Sequence, residues 1–584
     1  MSTAAVGGPG IRYQPDETPA PALSFGLGLQ IAVLTIAGII LVPTIVMRAG
    51  GAGENYLSWA VFATVAVCGA TTMLQAFRIG RIGSGYVVIM GATGSFIAVC
   101  IAAVQEGGPE LLATLVVVSS FVPIVLAARL SLFQRLLTPT VSGTVLMLIP
   151  VTVMPAVFDL LAAVPPGTPA VAPPLCALST VLVIAGIALK ATGALRLWAS
   201  IVGVVVGSVV AAAFGLYDVN RVLDAPWIGF PAGEWAGFDL EFGPAFWTLL
   251  PAFLLVGAIA SIRTISGAVA IQHVSWRRKQ AVDFRAVQGA VTVDGLGNLL
   301  SGLAGTVPNA ATTVGASVAD LTGVAARSVG IAAGMIFIAM AFFPKVLGVV
   351  LAIPGPVVAG YLGVLLAMLF TVGMRVAIQD GVSYRKSVIV GLSFWVGVGF
   401  QNNMVFPEQV TGFAGGLLQN GVTSGGIVAI LMTLFVEMTR SRRSHYKAAF
   451  DFSILAEIRE FLAAFSTRSG WGVEMSERLN AACEETLLSL FEDGEDAGAG
   501  RKRRQLRISA HREGDTAVLE FTVAAGDDNI QDRLMAIGDD PGDSPVESEI
   551  SLRLLRWLAA SVRHQRYHES DIVTVRVAAP VAKS

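Results

Sequence analysis

Residues 301–327, SGLAGTVPNAATTVGASVADLTGVAAR, form an apolar segment that does not have the pattern of one continuous helix. The first half contains Gly305, Pro308 and Asn309 among β-branched residues, whereas the second half, from Val314, is typical of a short apolar helix. Unpaired backbone groups in hydrocarbon are costly, so an interrupted helix persists in a membrane only where protein packs around it or where it lines a solute cavity. The segment therefore predicts one half of a solute site, with a kinked structural helix as the alternative.

A second interrupted segment lies at residues 83–97, GSGYVVIMGATGSFI. It repeats the design, because the β-favouring residues 86–89 are followed by Gly91 and Gly94 and then by an apolar helix. Two interrupted segments in corresponding positions indicate a transporter built from inverted repeats. The free N–H groups at the start of each half-helix would point at electron-rich atoms of a solute near the bilayer midplane.

The composition is that of a polytopic α-helical membrane protein. Of the 584 residues, 54% are hydrophobic and 14% are charged. About fourteen apolar runs of spanning length lie between residues 25 and 437, and the third run of each set of seven is an interrupted one. The four cysteines are scattered without metal-ligand spacing, and no nucleophile–base pair is evident, so neither a metal site nor an enzyme is expected.

The distribution of Lys and Arg predicts the orientation. Alternate loops between the apolar runs carry basic residues, whereas the loops at 105–110 and 164–174 have none. Because cytoplasmic loops are enriched in Lys and Arg, we expect a multi-pass protein of the cytoplasmic (inner) membrane with both termini in the cytoplasm.

Four regions are predicted along the chain: a cytosolic tail at 1–24, a transporter domain at 25–437, a basic linker at 438–447 and a charged cytosolic α/β domain at 448–584. The last region has no spanning run. Its predicted elements are a helix at 478–493, strands at 506–513 and 516–525, a helix at 548–567 and a strand at 571–578.

The order of these elements resembles the small ATP-binding fold of anti-sigma-factor kinases and histidine kinases. The position of that family's metal-binding Asn is Ser489, and its glycine-rich turn is replaced at 526–529 by Gly-Asp-Asp-Asn. Without the glycines the backbone cannot approach phosphates closely. The resemblance therefore implies a degenerate regulatory or dimer-forming module that has lost nucleotide binding.

Several stretches of the membrane region resemble the nucleobase–ascorbate transporter family, also called nucleobase:cation symporter family 2, which contains xanthine and uracil permeases. They are RIGRIGSGYVVIMGATGSF at 78–96, LTPTVSGTVLMLI at 137–149, AVDFRAVQGAVTVDGLGNLLSGLAGTVPN at 281–309 and LAIPGPVVAG at 351–360. The resemblance implies a homodimer in which a core domain, holding both broken segments, moves against a gate domain in an elevator-like cycle. It implies secondary active transport of a nucleobase or related heterocycle such as xanthine, uracil or urate.

The family's two site carboxylates fall at Ala260 and Val314 in this chain. These side chains can neither accept a hydrogen bond from a ring N–H nor carry a proton. Arg263 adjoins the first of these positions, and an intramembrane Arg is a candidate functional residue. The predicted substrate-binding residues are Gln30, Gly94, Ser95, Phe96, Ala260, Arg263, Thr264, Thr312, Thr313, Val314 and Gly315.

Two other functions stay open. A site of donors with a cation favours a small anion, as in the sulfate permease group, and a sensor that signals through the tail is a third reading. Asp294 and Asn298 share a helix face and could hold a cation or fix their helix, whereas Asp320 could carry a proton. No cofactor is expected beyond a coupling proton or sodium ion. The expected partners are a small-molecule substrate, membrane lipid, a second copy of the chain and a cytosolic regulatory protein at the tail, without nucleic acid.

Overall fold

The computed structural model describes residues 11–130, 138–162, 164–191, 198–230, 235–278, 280–378, 381, 383–406, 418–438, 444–449, 454–495, 505–513, 515–523, 529–536, 547–568 and 570–579. The chain forms two compact units. The first comprises Met1–Ser275 and Ala286–Val436, and the second comprises Trp276–Arg285 and Glu437–Ser584.

The first unit is helical. Its helices are α1 Pro21–Gly50, α2 Glu54–Ala76, α3 Ile97–Ala128, α4 Pro139–Ala162, α5 Ala172–Lys190, α6 Ala199–Ala213, α7 Val219–Asp224, α8 Pro244–His273, α9 Phe284–Leu303, α10 Val314–Thr322, α11 Arg327–Ala341, α12 Pro344–Leu351, α13 Gly355–Ala377, α14 Tyr384–Gln401 and α15 Gly421–Met438. The helix α3 is interrupted at Gly107 and Gly108, where φ is −148° and +72°. The break at these glycines divides α3 into two helical segments.

Two short strands accompany the helices at the two interrupted segments. Strand β1, Ile89–Ala92, pairs antiparallel with strand β2, Asn309–Thr312, so that Ile89 lies opposite Thr312. Each strand is followed by a half-helix, which confirms both predicted interruptions, although β1 lies three residues beyond the predicted start of the β-favouring run. The pairing satisfies backbone groups that neither segment could satisfy alone in a membrane.

The helices identify an integral membrane protein. Within the described residues, seven helices are long and apolar enough to cross a bilayer, namely α1–α5, α8 and α13. The pair α11 and α12, bent by 81°, raises this to eight, and α6 and α15 are shorter apolar helices. Length and composition thus identify fewer spans than the fourteen predicted, and the full number stays a prediction.

Glycines set the closest helix packing in this unit. A Cβ atom at Gly69 of α2 would lie 2.7 Å from the carbonyl oxygen of Gly334 in α11, and one at Gly143 of α4 would lie 2.6 Å from that of Gly373 in α13. Lipid chains are as apolar as side chains, so membrane helices associate largely through such close backbone contacts. The contact at Gly69 fixes α2, whose Thr72 accepts the N–H of Met90 in β1.

The second unit contains an antiparallel sheet of order β3–β4–β5–β7–β6. Its strands are β3 Ser444–Ala449, β4 Gln505–Glu513, β5 Thr516–Val523, β6 Ser561–Arg566 and β7 Asp571–Ala578, and its helices are α16 Leu455–Arg468, α17 Val473–Glu495, α18 Ile530–Ala536 and α19 Glu547–Leu558. One apolar core joins helices and sheet through buried residues such as Leu462, Leu479, Leu487, Phe521 and Leu555.

The helix predicted at 548–567 is wrong in its second half. The helix α19 ends at Leu558, and residues 561–566 form β6, which pairs with β7 so that His564 lies opposite Val573. Pairing along an available sheet edge outweighs the local helical pattern, because strand formation depends on neighbouring strands more than on intrinsic preference. The predicted helix at 478–493 and the strands at 506–513 and 571–578 are confirmed. The strand predicted at 516–525 is confirmed over 516–523, and its last two residues lie outside the described residues.

Ser489, the residue at the position of the metal-binding Asn, lies in the second unit. Ser489 is buried on α17, and its hydroxyl donates to the carbonyl of Glu485 at 2.9 Å. The carboxylate of Glu485 accepts a hydrogen bond from the hydroxyl of Ser551. Residues 526–528 of the replaced glycine-rich turn lie outside the described residues.

Candidate functional site

The candidate site is built around the paired strands and the two half-helices that follow them. After β1, Thr93 caps a 3₁₀ turn at Gly94–Phe96 and its Oγ1 accepts the N–H of Ser95 at 3.4 Å. After β2, the helix α10 begins at Val314, with Thr313 as its N-cap. The oxygen of Thr93 thus accepts one of the unpaired N–H groups of its turn, whereas the side chain of Thr313 makes no capping hydrogen bond within the described residues.

The half-helix α10 approaches the other repeat so closely that a side chain would not fit. A Cβ atom at Gly315 would lie 2.1 Å from the carbonyl oxygen of Val87, which precedes β1. Glycine is therefore required at this position for packing, independently of any role in solute binding.

Polar side chains of three helices hold the strands in place. Thr72 of α2 accepts the N–H of Met90 at 3.0 Å. On the other strand, the Oγ1 of Thr264 in α8 accepts the N–H of Ala311 at 3.2 Å, and the Oδ1 of Asn298 in α9 accepts the N–H of Asn309 at 2.8 Å. The position of β2, and hence of α10, depends on these side chains.

Arg263 lies at the start of the first half-helix. It is half-buried on α8, and its Nη1 donates to the Oγ1 of Thr93 at 3.3 Å. A guanidinium group and the N–H groups of a helix start both favour negative charge or carbonyl oxygen. The structure thus places a cation and a half-helix N-terminus side by side.

The predicted substrate residues differ in accessibility. Ser95, Phe96, Ala260, Thr264 and Gly315 are buried, and the ring of Phe96 packs on that of Phe253 with centroids 6.0 Å apart. Those partly or fully accessible are Gln30, Gly94, Arg263, Thr312, Thr313 and Val314. An accessible residue within a membrane domain can face a solute cavity, whereas the buried group supports the strands and helices around it.

Two predicted polar site residues, Thr312 and Gln30, lie at different distances from the paired strands. The hydroxyl of Thr312 donates to the carbonyl of Ile89 at 3.1 Å and so reinforces the strand pair. Gln30 lies on α1, nine residues before Ile39, whose Cγ1 would be 3.6 Å from a Cβ atom at Gly91. Along a helix this is about 13 Å, so Gln30 is displaced from β1 along the axis of α1.

Sequence reasoning missed Thr93 and Ser261. The signal for Thr93 was present, since a Thr that precedes a glycine and a short apolar helix is a candidate cap. Ser261 carries no such signal and is recognised by its place beside Asp294, which is fully buried on α9. Asp320, predicted as a possible proton carrier, is exposed on α10.

Comparison with known proteins agrees with this architecture. The model of the Permease family, Xan_ur_permease, matches residues 23–405. The putative purine permease CPE0397 of Clostridium perfringens is 26% identical over 69% of this chain and 88% of its own length. The xanthine permease XanP of Escherichia coli is 27% identical over 72% of this chain and 93% of its own length. The uric acid permease PucK of Bacillus subtilis is 25% identical over 72% of this chain and 97% of its own length. The chain belongs to this permease family, the nucleobase–ascorbate transporter family that its motifs resemble, and it is a membrane permease, not an enzyme.

Proposed function

We propose that the chain is a secondary active transporter that carries a nucleobase or a related small heterocycle, such as xanthine, uracil or urate, across the cytoplasmic membrane. The observation that carries this proposal is the pairing of β1 with β2, which sets two half-helix N-termini beside Thr93, Thr264 and Arg263 inside a membrane protein. The names of the relatives, which are purine, xanthine and uric acid permeases, support the same substrate class.

The donors of this site suit a carbonyl-rich ring. The N–H groups near Gly94 and Val314 can donate to exocyclic oxygens, and Arg263 can donate in addition or balance a negative charge. Ring N–H groups find no carboxylate at Ala260 or Val314. The side chains therefore favour an oxygen-rich or deprotonated heterocycle over one that mainly donates hydrogen bonds.

An elevator-like movement is the proposed mechanism, with the protein working as a homodimer whose termini face the cytoplasm. The strands and half-helices would form a core that moves as one body, because α2, α8 and α9 all hold them through hydrogen bonds. The core would slide against α13 near Gly94, because a Cβ atom at Gly94 would lie 3.3 Å from Leu365 of α13. Such a contact is apolar and has no hydrogen bond to break as the core slides.

Transport of a small inorganic anion is the second candidate. The contact of Arg263 with the cap residue Thr93 favours it, because cation and helix start together form an anion site. An anion transporter of this kind need not recognise a heterocyclic ring. Uptake of a labelled anion should therefore be inhibited by other inorganic anions and not by heterocycles.

Uptake by proteoliposomes that contain the full chain tests both candidates. We expect saturable uptake of radiolabelled xanthine, urate or uracil that unlabelled heterocycle displaces and sulfate or bicarbonate does not. Uptake of the inorganic anions alone would refute the heterocycle proposal. Empty liposomes, and liposomes with the variant Gly315→Val, which forces a side chain into the backbone at Val87, provide the controls.

A further inference from the structure

The segment that joins α8 to α9 is bound by the second unit. This connecting segment, Trp276–Arg285, belongs with Glu437–Ser584 and not with the membrane helices that it links. The N–H of Ala281 donates to Oδ1 of Asp532 at 2.5 Å. A backbone N–H that donates to a carboxylate makes a charge-assisted hydrogen bond, which is roughly twice as strong as a neutral one. A specific contact therefore anchors the middle of the segment.

The end of the connecting segment meets the turn between β6 and β7. The Nε of Arg285 donates to the carbonyl oxygen of Tyr567 at 3.4 Å, and the ring of Phe284 lies beside that of Tyr567 with centroids 5.2 Å apart. Tyr567 is buried, and its own N–H donates to the carbonyl of Ser570 at 3.0 Å. The turn therefore offers an ordered acceptor and an ordered ring, and binding to ordered groups costs less entropy than binding to mobile ones.

The sheet of the second unit sets the position of Asp532, which lies in the first turn of α18. The Nδ1 of His564 in β6 accepts the N–H of Ile530 at 3.0 Å, and Oδ1 of Asn529 accepts the N–H of Gln531 at 2.9 Å. Both bonds satisfy N–H groups at the helix start, which have no partner within a helix. The carboxylate that binds the connecting segment is thus held in place by groups of the same unit.

The chain joins the second unit to the membrane unit at two separate places. At the first place the connecting segment continues into α8 and α9, which hold β2 through Thr264 and Asn298. At the second place five residues separate Met438, the last residue of α15, from Ser444, the first residue of β3. Such a connection cannot span more than about 20 Å, so it has little slack.

These two places lie on different sides of the boundary at which the core would slide. A Cβ atom at Gly425 of α15 would lie 2.8 Å from the carbonyl oxygen of Ser393 in α14 and 2.4 Å from Cδ1 of Leu148 in α4. The helix α4 in turn packs closely on α13, against which the core would move. Towards the core, α15 meets the side chain of Leu255 in α8 beside Gly426, which is an apolar contact.

We propose that the second unit restrains transport by binding the connecting segment. While Asp532 holds Ala281, α8 and α9 are tied to α15 through the second unit and a short connection, so the core cannot move freely against α13. Release of the segment removes this restraint. The effect on transport rests on the proposed elevator-like mechanism, whereas the binding of the segment does not.

Tryptic cleavage of the purified full chain without substrate tests whether the segment is bound. Arg277 and Arg278 are exposed cleavage sites within it, and cleavage follows the population of the open form when opening is fast. The variants are Asp532→Ala and Phe284→Ala, and the matched control is Glu460→Ala, which removes an exposed acid from α16. We expect cleavage to be about tenfold faster in Asp532→Ala, faster in Phe284→Ala and unchanged in the control. Unchanged cleavage in both variants would overturn the proposal.

Uptake of a labelled heterocycle by proteoliposomes tests the restraint. The two variants should show a higher initial rate than the unmodified chain and Glu460→Ala, by up to about tenfold, which is the factor by which the bound state is weakened. Deleting residues 448–584 should also raise uptake, whereas a plain transporter would be unaffected. An unmodified chain without any uptake would refute the proposed function but would leave the cleavage result valid.

A double variant, Ala281→Cys with Asp532→Cys, fixes the segment reversibly. The side chain at 532 reaches the backbone at 281, so the two cysteines are near enough for a disulfide, and the four native cysteines are buried. Oxidation should reduce uptake and dithiothreitol should restore it, while neither single variant should respond. If the disulfide forms without reducing uptake, or if variants that are cleaved faster transport at the unmodified rate, the contact is only structural and the proposed restraint is wrong.

Discussion

Substitution of Gly315 by alanine tests whether the approach of α10 to the first repeat sets the site. The new Cβ atom would lie 2.1 Å from the carbonyl oxygen of Val87, 3.2 Å from its carbonyl carbon and 3.3 Å from Cγ1 of Ile89. A comfortable carbon–oxygen contact is about 3.3 Å, so the two segments must separate by about 1.2 Å. The atom that is hit belongs to the backbone, which cannot rotate away as a side chain could.

The expected cost has two parts. Overpacking of this kind destabilises by about 1–3 kcal/mol. In addition, a displacement of about 1 Å in groups that position a ligand can reduce a rate by on the order of 10²-fold. We therefore expect Gly315→Ala to lose most heterocycle uptake and to melt at a lower temperature than the unmodified chain.

The matched control is Gly363→Ala on α13, where a Cβ atom meets nothing within 4 Å. Alanine is favoured over glycine in a helix by about 1 kcal/mol, so this variant should be as stable as the unmodified chain or slightly more stable. Uptake into proteoliposomes and thermal unfolding are measured on the same preparations. Wild-type uptake and melting temperature in Gly315→Ala would refute the argument that this contact positions α10.

Three further predictions concern other parts of the chain. Replacing Arg263 by alanine removes a charge-assisted hydrogen bond worth about 1.5–3 kcal/mol. The affinity for an oxygen-rich heterocycle, measured in a thermal-shift titration, should therefore fall by about tenfold or more. Arg263→Lys should restore part of that affinity. Deleting residues 448–584 should leave uptake unchanged for a plain transporter, and complete loss of uptake with intact membrane insertion would favour a sensor that acts through the tail. In the second unit, burial, with a smaller contribution from the hydrogen bond and charge of Glu457, raises the pKa of Tyr446 to about 12. The neutral Tyr446 side chain should contribute its full stabilisation below pH 10.0, the ordinary pKa of tyrosine, and this contribution should be lost as pH rises towards about 12. In unfolding experiments at increasing alkaline pH, Tyr446→Phe should lack this loss of stability.

The resemblance to the family implies a site carboxylate at two positions where this chain has Ala260 and Val314. Ala260 and Val314 leave the half-helix starts without an acid, while Arg263 adds a cation beside one of them. Asp294 is buried on α9, close to Ser261 and Thr264 of α8. The substrate contacts that we propose for this chain are therefore backbone N–H groups, hydroxyl groups and Arg263.

The sequence by itself determined the membrane class, the permease family and the positions of both interruptions. These features are local, because a glycine, a proline or a β-favouring run interrupts a helix wherever the rest of the chain lies. For the same reason the half-helix that starts at Val314 and three strands of the second unit could be predicted closely.

Only the tertiary structure decided which of these local elements meet. The register of β1 on β2, the contact of Arg263 with Thr93 across 170 residues of chain, and the exposure of Asp320 depend on packing between distant segments. The strand at 561–566, where a helix was predicted, exists because β7 offers an edge to pair with. Asp294 shows the difference most directly, since its spacing from Asn298 follows from the sequence, but its burial close to Ser261, Thr264 and Arg263 depends on how α8 packs against α9.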